Sequence, residues 1–249
     1  MKSILKTAVM TALFILPLSG SRAGYVEVTA ASDTWLNGSG VDTVYDGLGY
    51  LWIAPGRNGL VKIDLTGQIP AGQAVTNAIL EIYVNEKSGS PSVNIYAETD
   101  DWVEATATWN KKDGSIIWGG SGGGFGAGMT SGSNIIVSQT VSSTGLAQFD
   151  VTGAVQGWYD GSIVNRGLLM QGQGTSTYFK FYDRTNTTYN NKPKLKITYD
   201  ALTCAAVWSS GSGITYDFNH DCYVDFKDLS IFLEDFLKCN DPQIIGCND

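Results

Sequence analysis

Twelve residues near the carboxyl-terminal end, "DFNHDCYVDFKD" at 217–228, have the side-chain types and the spacing needed to hold a metal ion. Oxygen ligands fall at positions 1, 3, 5, 7, 9 and 12 of this segment, the seventh being a main-chain carbonyl: Asp217, Asn219, Asp221, Tyr223, Asp225 and Asp228. This is the ligand layout of an EF-hand calcium loop. Four aspartates packed so closely repel one another unless a cation holds them together. The sequence therefore predicts a calcium site, with calcium as the cofactor.

The residues around the loop predict how it is held. After the loop, apolar residues recur at the spacing of an amphipathic helix, at Leu229, Phe232, Leu233, Phe236 and Leu237. Before it, "SSGSGITY" does not predict a regular incoming helix. At its sixth position the loop has Cys222 where calcium loops normally have glycine. A residue other than glycine pays about 1–2 kcal/mol for the strained backbone conformation at that position, and we expect a disulfide bridge to hold it.

The cysteines allow three pairings, and geometry removes one. Cys204, Cys222, Cys239 and Cys247 all lie in the last 46 residues. If residues 226–238 are helical, Cys222 and Cys239 lie roughly 20 Å apart, beyond the ~7 Å that a bridge can span between Cα atoms. We predict Cys204–Cys222 with Cys239–Cys247, because "CNDPQIIGC" is a short loop that closes easily.

A second group of residues could bind an acidic ligand. Six of the eleven lysines and arginines of residues 25–200 lie between Arg166 and Lys196. In "STYFKFYDRT" the phenylalanines share one strand face, which places Lys180, Tyr182 and Arg184 on the other, and the next strand adds Lys194 and Lys196. Guanidinium and ammonium groups fit carboxylates or sulfates. The alternative is a solvated edge whose lysines prevent aggregation.

Few groups of residues in the sequence could form a catalytic site. Residues 25–200 contain no histidine and no cysteine, which excludes Cys/His and Ser/His nucleophile systems and three-histidine zinc sites there. Carboxylates cluster in "AETDDWVE", at Glu98, Asp100, Asp101 and Glu104, and a glycosidase needs a carboxyl pair about 5–9 Å apart. A lyase with a Tyr, Lys or Arg base is also conceivable. Neither class has its spacing signature here, so we expect a binding protein in preference to an enzyme.

The elements that must position these residues are mostly strands. Apolar residues alternate with polar ones in "NGLVKIDL", "AILEIYVN" and "KPKLKITY", with Gly, Asn, Asp and Ser clusters between such runs. This predicts a mostly β protein, an antiparallel, jelly-roll-like β-sandwich with one solvated face on each sheet. One short helix is expected in "DVTGAVQGWYDG", with Trp158 in the core and Asp150 or Thr152 as its cap. The glycine-rich residues 119–128 predict a flexible surface loop.

The tryptophan-rich segment at 102–109 has two interpretations. Trp102, Glu104, Thr108 and Trp109 could form an aromatic platform for a sugar. Alternatively, the tryptophans are core or bend residues and Glu104 fixes the turn through hydrogen bonds, because large aromatic side chains are mostly buried. We favour the second interpretation. Asp33 and Asp150 are candidates for a structural calcium site within the sandwich.

Composition changes along the chain and defines its parts. Residues 1–23 combine Lys2 and Lys6 with an apolar run too short to anchor in a bilayer, which predicts a signal peptide and an exported protein. Residues 24–200 form the sandwich; within 25–200, 11 Lys/Arg stand against 16 Asp/Glu, a net of −5. Residues 201–249, with 2 against 8 and a net of −6, form a small acidic module. We expect no membrane span and no nucleic-acid partner.

The order of motifs resembles a known family. "ASDTWLN", "DWVEATATW", "FDVTGAVQGWYDG" and "KPKLKITY" follow one another as in the disaggregatase-related DNRLRE domain, also classed as carbohydrate-binding module family 96. The resemblance covers about residues 25–200 and implies a β-sandwich attached to secreted polysaccharide-degrading systems. It further implies an acidic polysaccharide such as alginate as the ligand. Near its end the family has an element similar to Ser-Arg-Glu, and the corresponding residues in this sequence are Asp183, Arg184 and Thr185.

The tail has its own resemblance. Its single calcium loop with aspartate at position 12, without an incoming helix, is similar to a dockerin repeat, and most closely to the one-loop dockerin-like modules of secreted planctomycete proteins. Dockerins proper have two such loops, and this chain has one. The resemblance implies docking to a cohesin-like or cell-surface partner.

Three functions follow as expectations from the sequence. The first is a secreted carbohydrate-binding protein for an acidic polysaccharide, with a calcium-binding tail that docks or attaches it to a surface. The second is a polysaccharide lyase or glycoside hydrolase component. The third is a structural cell-surface protein without a sugar ligand.

The predicted cysteine pairing can be tested directly. Mass spectrometry of a non-reduced proteolytic digest should yield a peptide pair linked through Cys239 and Cys247, because the loop between them is short. The same digest after reduction is the control. A peptide joining Cys204 to Cys247 or Cys239 would contradict the pairing.

Overall fold

The structure is a computed structural model, and it describes residues 24–120, 122–132, 134–201, 204, 208 and 213–235. The predicted signal peptide, Cys239 and Cys247 lie outside these residues. Eleven strands and two α-helices follow one another here: β1 Gly24–Thr29, β2 Ser32–Asn37, β3 Tyr50–Ile53, β4 Arg57–Lys62, β5 Gln73–Ser88, β6 Ser92–Ala97, β7 Val137–Thr140, β8 Gly145–Asp150, α1 Thr152–Asp160, β9 Leu168–Gln173, β10 Tyr178–Tyr182, β11 Lys194–Ala201 and α2 Phe226–Asp235.

The strands form two antiparallel sheets that share one core. The first sheet has the order β1-β11-β5-β10-β3, with β8 also paired to β5, and the second has the order β2-β4-β9-β6-β7. One core cluster contains Leu80 and Phe179 of the first sheet together with Val61 and Met170 of the second. The predicted mostly β fold is confirmed, and a β-sandwich fits this arrangement.

The long strand β5 organises the first sheet. Its residues Ile79–Val84 pair with β8 on one edge. Its other edge pairs with β11 over Gln73–Glu81 and with β10 over Val84–Ser88. Strands β10 and β11 therefore lie one after the other along the same edge of β5. The chain between them, residues 183–193, leaves the sheet and returns to it.

The second sheet is covered on both sides, so the prediction of one solvated face per sheet is wrong for it. Leu36, Leu60 and Leu169 point away from the shared core but form a second buried cluster with Trp118 and Phe125. These two aromatic residues come from the long connection between β6 and β7. Burial on both faces explains why β2, β4 and β6 each have four consecutive buried residues instead of an alternation.

The glycine-rich segment belongs to this cover, so its prediction as a flexible surface loop is also wrong. Phe125 is buried, and Gly124 has φ +90 with Leu169 and Leu36 close by. A Cβ at Gly124 would lie 2.8 Å from Leu169 Cδ1 and 2.9 Å from Leu36 Cδ1. Asn58 of β4 donates a hydrogen bond to the carbonyl of Gly123 at 2.7 Å. Glycine lets the main chain pack directly on the sheet.

The predicted helix is present as α1, and Trp158 is in the core as expected. Its cap differs from the prediction, because the N-cap residue is Val151 without a side-chain cap bond. Asp150 instead accepts hydrogen bonds from the N–H and hydroxyl of Thr152. None of the described helices is both long and apolar enough to cross a membrane.

Candidate functional site

The outer face of the first sheet is the surface on which the predicted sugar-binding residues meet. Because Phe179, Phe181, Leu195 and Ile197 are buried in the core, Lys180, Tyr182, Lys194 and Lys196 point to the opposite side. Since β10 and β11 are in line along β5, these four side chains follow one another in a row. We call this row, with the β5 residues Glu81 and Tyr83 beside it, the lysine–tyrosine row.

An aromatic pair lies at the middle of the row. The rings of Tyr83 and Tyr182 are stacked, with centroids 5.9 Å apart and an interplanar angle of 27°. Tyr83 is 37% exposed, and Leu146, which pairs with it from β8, is 52% exposed. Exposed aromatic and aliphatic surface of this kind can stack against the apolar face of a sugar ring. Sequence reasoning missed Tyr83 and Leu146, although the alternation in "AILEIYVN" places Tyr83 beside Glu81 on the solvated face.

Each lysine of the row already has a carboxylate partner. Lys180 Nζ lies 2.9 Å from Glu86, and Lys196 Nζ lies 2.9 Å from Glu81. Lys194 is only 3% exposed and its Nζ lies 3.3 Å from Glu27 and 3.6 Å from Glu81. Burial tends to raise the pKa of Glu81, but hydrogen bonds from Lys196 and Gln148 and the lysine charges outweigh it and lower that pKa. The row is therefore close to electrically neutral.

One end of the row continues into an aromatic group at β3. The Nζ atom of Lys180 lies 4.5 Å from the ring centroid of Trp52 and 5.1 Å from that of Tyr50. Arg57 lies over the same Trp52 ring at 4.0 Å. Cation–π contacts hold these basic side chains against the rings.

Arg184 does not share this face, so the predicted position of its side chain is wrong. Strand β10 ends at Tyr182, because Asp183 turns the chain by accepting hydrogen bonds from Gly49 N–H and Thr185 N–H. The Arg184 guanidinium then grips Glu104 with two bonds of 2.6 Å. Its own N–H donates to the Asp33 carboxylate at 2.7 Å.

The tryptophan-rich segment is structural, which confirms the favoured interpretation. Trp102 is 7% exposed and its indole N–H donates to the carbonyl of Arg166. Glu104 accepts from the N–H of Asp33 as well as from Arg184. The carboxylates expected of a hydrolase are also tied to the main chain, since Glu98 accepts from Thr99 and Asp100 N–H, and Asp100 from Gly119 N–H. Burial raises the pKa of Glu98 to about 7.

Neither predicted candidate for a calcium site in the sandwich belongs to a ligand cluster. Asp33 contacts Arg184, and Asp150 binds Thr152. Among the residues that the structure describes, the groups able to hold a metal ion all lie in the tail.

The tail brings three of the six predicted calcium ligands together. Carboxylate oxygens of Asp217, Asp221 and Asp228 lie within 4.8 Å of one another. Asp217 and Asp228 are each 2% exposed. The only lysine or arginine between residues 197 and 237 is Lys227, which contacts Asp221 at 3.2 Å. The Asp225 N–H, with that of Asn219, lowers the pKa of Asp228.

This donor set fits calcium. Its side chains offer carboxylate and amide oxygens, the ligands that calcium prefers. Two buried carboxylates with a single lysine nearby leave negative charge that a divalent cation would balance. If calcium binds, Asp217, Asn219, Asp221 and Asp228 are the side chains in position to hold it. Asp225 lies at the start of α2, where its carboxylate accepts the N–H of Lys227, and the exposed Tyr223 has its N–H bonded to Asp221.

The disulfide Cys204–Cys222 is present, as predicted. Cys222 has φ +67, the left-handed conformation that glycine normally supplies at this position of the loop. Trp208 adds a contact that the sequence did not reveal: its indole N–H donates to Asp217 at 3.0 Å, and its ring stacks on His220 with centroids 3.8 Å apart. Cys204 and Trp208 thus hold the loop from the side where no incoming helix was predicted.

The sandwich matches a known family over part of its length. The model of carbohydrate-binding module family 96 matches residues 24–115, which include β1 to β6. The match supports a carbohydrate-binding module, and it contains Tyr83, Glu81, Glu86 and Glu27 of the outer face. No curated protein matches the chain.

The buried Asp33 should make stability depend on pH. Burial raises its pKa from 3.8 to about 8, against the opposing effect of the Arg184 N–H. Between these values the folded state keeps a proton that the unfolded state releases, so the free energy of unfolding should fall as pH rises from about 5 to 8, by up to about 1.4 kcal/mol per pH unit. Asp33→Asn keeps an acceptor for Arg184 N–H but lacks this proton. Its thermal unfolding temperature should therefore fall less over that range.

Asp150→Asn is the matched control. In the wild type, hydrogen bonds from Thr152 lower the pKa of Asp150, so its carboxylate is charged in the folded and the unfolded state from pH 5 upward. The pH profile of Asp150→Asn should therefore follow that of the wild type. Parallel pH profiles for wild type and Asp33→Asn would contradict the prediction.

Proposed function

We propose that this is a secreted, non-catalytic carbohydrate-binding protein whose sandwich binds an acidic polysaccharide along the lysine–tyrosine row. The family match over residues 24–115 supports the carbohydrate-binding role. The observation that supports this face is the stacking of Tyr83, which is exposed, on the partly buried Tyr182. The disulfide in the tail agrees with an extracellular protein.

The shape of the row fits a linear polymer. Alternate residues of a strand are about 6.6 Å apart, so Lys180 and Tyr182, followed in line by Lys194 and Lys196, give an extended surface instead of a pocket. The tyrosines would contact sugar rings, and the more exposed lysines, Lys180 and Lys196, would contact carboxylate groups. Because Glu27, Glu81 and Glu86 compensate the lysine charges, we expect only a modest preference for acidic over neutral chains from this face.

We further propose that the tail binds calcium and serves for docking or surface attachment through a cohesin-like or cell-surface partner. The loop geometry supports the calcium site. The apolar side chains around it support the attachment role, since Tyr216, Val224 and Leu229 line one cavity and are 66%, 54% and 44% exposed. Exposed apolar groups clustered in this way are typical of interaction surfaces. The tail resembles a dockerin module with one loop.

Tyr83→Ala should weaken binding to alginate about tenfold or more, because losing about 1.4 kcal/mol of ring contact corresponds to tenfold in affinity. Affinity electrophoresis in alginate and in a neutral glucan, at two salt concentrations, measures this. Binding to alginate should weaken as salt rises, since screening acts over about 8–10 Å at physiological ionic strength.

Tyr216→Ala is the control for Tyr83→Ala, because Tyr216 is an exposed tyrosine of the tail. Thermal unfolding verifies that both variants fold. If every glycan retards wild type and Tyr83→Ala equally, the binding site does not lie on this face. Release of reducing ends or unsaturated products from the polysaccharide would instead favour an enzyme.

The calcium site has a separate test. The full-length wild type should bind one calcium ion in the loop, and calcium at 100 times its dissociation constant should stabilise the tail by about 2.7 kcal/mol. Asp217→Asn with Asp228→Asn should abolish both effects, whereas Glu234→Gln, an exposed position on α2, should not. Titration calorimetry and circular dichroism with and without chelator measure them. Equal calcium uptake by wild type and the double variant would refute the site.

A further inference from the structure

A cavity at the end of the second sheet is separate from the lysine–tyrosine row. It has a volume of about 640 Å³ and lies between the start of β2, the chain that follows β4, the end of α1 and the residues before β9. Cavities of roughly 300–1,000 Å³ are the usual size of small-ligand sites. Nothing in the proposed function makes use of this cavity.

Aromatic and polar side chains line the cavity together. Tyr159 provides partly exposed ring surface beside the buried Trp102 and Trp158, and Lys62, Asp64 and Asn165 provide polar groups. This combination of ring surface with a few polar groups is typical of sugar-sized ligand sites.

The walls are held in place before any ligand binds. The amide of Asn165 donates to the carbonyl of Ile63 at 2.8 Å, and the indole N–H of Trp102 donates to the carbonyl of Arg166 at 2.9 Å. The hydroxyl of Tyr159 donates to the carbonyl of Pro70 at 2.7 Å. A ligand would therefore lose little free energy in ordering the site.

One cationic group lines this cavity and a second lies beside it, and both are only loosely paired. Lys62 lines it, and Arg166 directly follows the lining residue Asn165. Both contact the Asp101 carboxylate, Lys62 at 3.7 Å and Arg166 at 3.5 Å, and the Asp101 side chain is 72% exposed. These distances exceed those of a strong charge-assisted hydrogen bond, and exposed pairs of this kind contribute little to stability.

Carboxylates hold the lysines of the lysine–tyrosine row more closely than Asp101 holds Lys62 and Arg166. There, Lys194 is 3% exposed and contacts two carboxylates, so an incoming anion would have to replace close, partly buried pairs. At the cavity an anion has to displace Asp101 and also meets Asp64, and both of these carboxylates are exposed. The Arg166 guanidinium could then grip a carboxylate with two bonds. Charge recognition therefore costs less at the cavity than at the row.

We propose that this cavity is a second saccharide site, which takes a sugar unit carrying a carboxylate against Tyr159 with its anionic group on Lys62 and Arg166. The inference rests on the proposed carbohydrate-binding function and adds to it the place where acidic sugars are selected. Two sites on one module raise the affinity for a long polymer more than for a short oligosaccharide.

The test uses the full chain and a uronate oligosaccharide, with a neutral oligosaccharide of equal length for comparison. Calorimetry gives the affinities, and ¹H–¹⁵N spectra report on the indole groups of Trp102 and Trp158, assigned by Trp→Phe variants. Lys62→Gln with Arg166→Gln should weaken uronate binding about tenfold or more, because charge-assisted bonds are lost, while neutral binding changes less than about twofold.

Two further variants sharpen the result. Asp101→Asn should strengthen uronate binding, because it removes the competing carboxylate; a merely structural role of Lys62 and Arg166 predicts no such gain. Lys111→Gln with Lys192→Gln changes the net charge equally at positions that do not line the cavity, and should leave uronate affinity within about twofold of wild type.

The outcomes separate this inference from the proposed function. If the oligosaccharides bind but the double variant Lys62→Gln with Arg166→Gln is unaffected and both indole signals stay unmoved, the cavity is not a site and the carbohydrate-binding function stands. Equal indole shifts with the neutral sugar would refute the acidic ligand class. A wild type that binds no glycan at all would overturn both.

Discussion

The pairing of β5 on both edges is the constraint on which the rest of the sandwich depends. Because β8 occupies one edge at Ile79–Val84, β10 and β11 must share the other edge end to end. The chain between them has to leave the sheet, and its first residues, Asp183 and Arg184, become anchors to Gly49, Asp33 and Glu104. The same arrangement aligns Lys180 and Tyr182 with Lys194 and Lys196 on the outer face, so one pairing pattern creates both a structural clamp and an extended surface.

The covering of the second sheet determines where a polymer can lie. The connection between β6 and β7 buries the outer side of β2, β4 and β9 under Trp118 and Phe125. This leaves the outer face of the first sheet, with its exposed Tyr83 and Leu146, as the described sheet surface open to a long chain. The tryptophans, which are the obvious aromatic candidates in the sequence, are mostly used for burial. The tyrosines carry the exposed ring surface instead.

The sequence pattern predicted the features that depend on residues close together in the chain. Alternation placed Lys180, Lys194 and Lys196 on one face, and ligand spacing brought Asp217, Asp221 and Asp228 together. Reach along a helix excluded Cys222–Cys239, and the short loop between Cys239 and Cys247 then favoured Cys204–Cys222. Three features were not predicted, because contacts between residues distant in sequence determine them. The alternation continues through Arg184, but the bond from Gly49 to Asp183 ends the strand first. The glycines at 122–124 look mobile in the sequence, but in the fold Trp109 lies against Gly122 and Gly123, and Leu36 and Leu169 lie against Gly124. The stacking of Trp208 on His220 depends on a bridge that folds the chain back.

The pairing of β1 with β11 has a consequence for how the module can be combined with others. Gly24 pairs with Tyr199, so the chain enters and leaves the sandwich at neighbouring positions of one strand pair. A domain whose two ends exit side by side can be inserted into a surface loop of a host protein, or circularly permuted by a short connector, without disturbing its core. Because Tyr83 and Tyr182 lie on other strands of that sheet, such an insertion would leave the lysine–tyrosine row intact. This geometry allows the sandwich to be transferred between proteins as a unit.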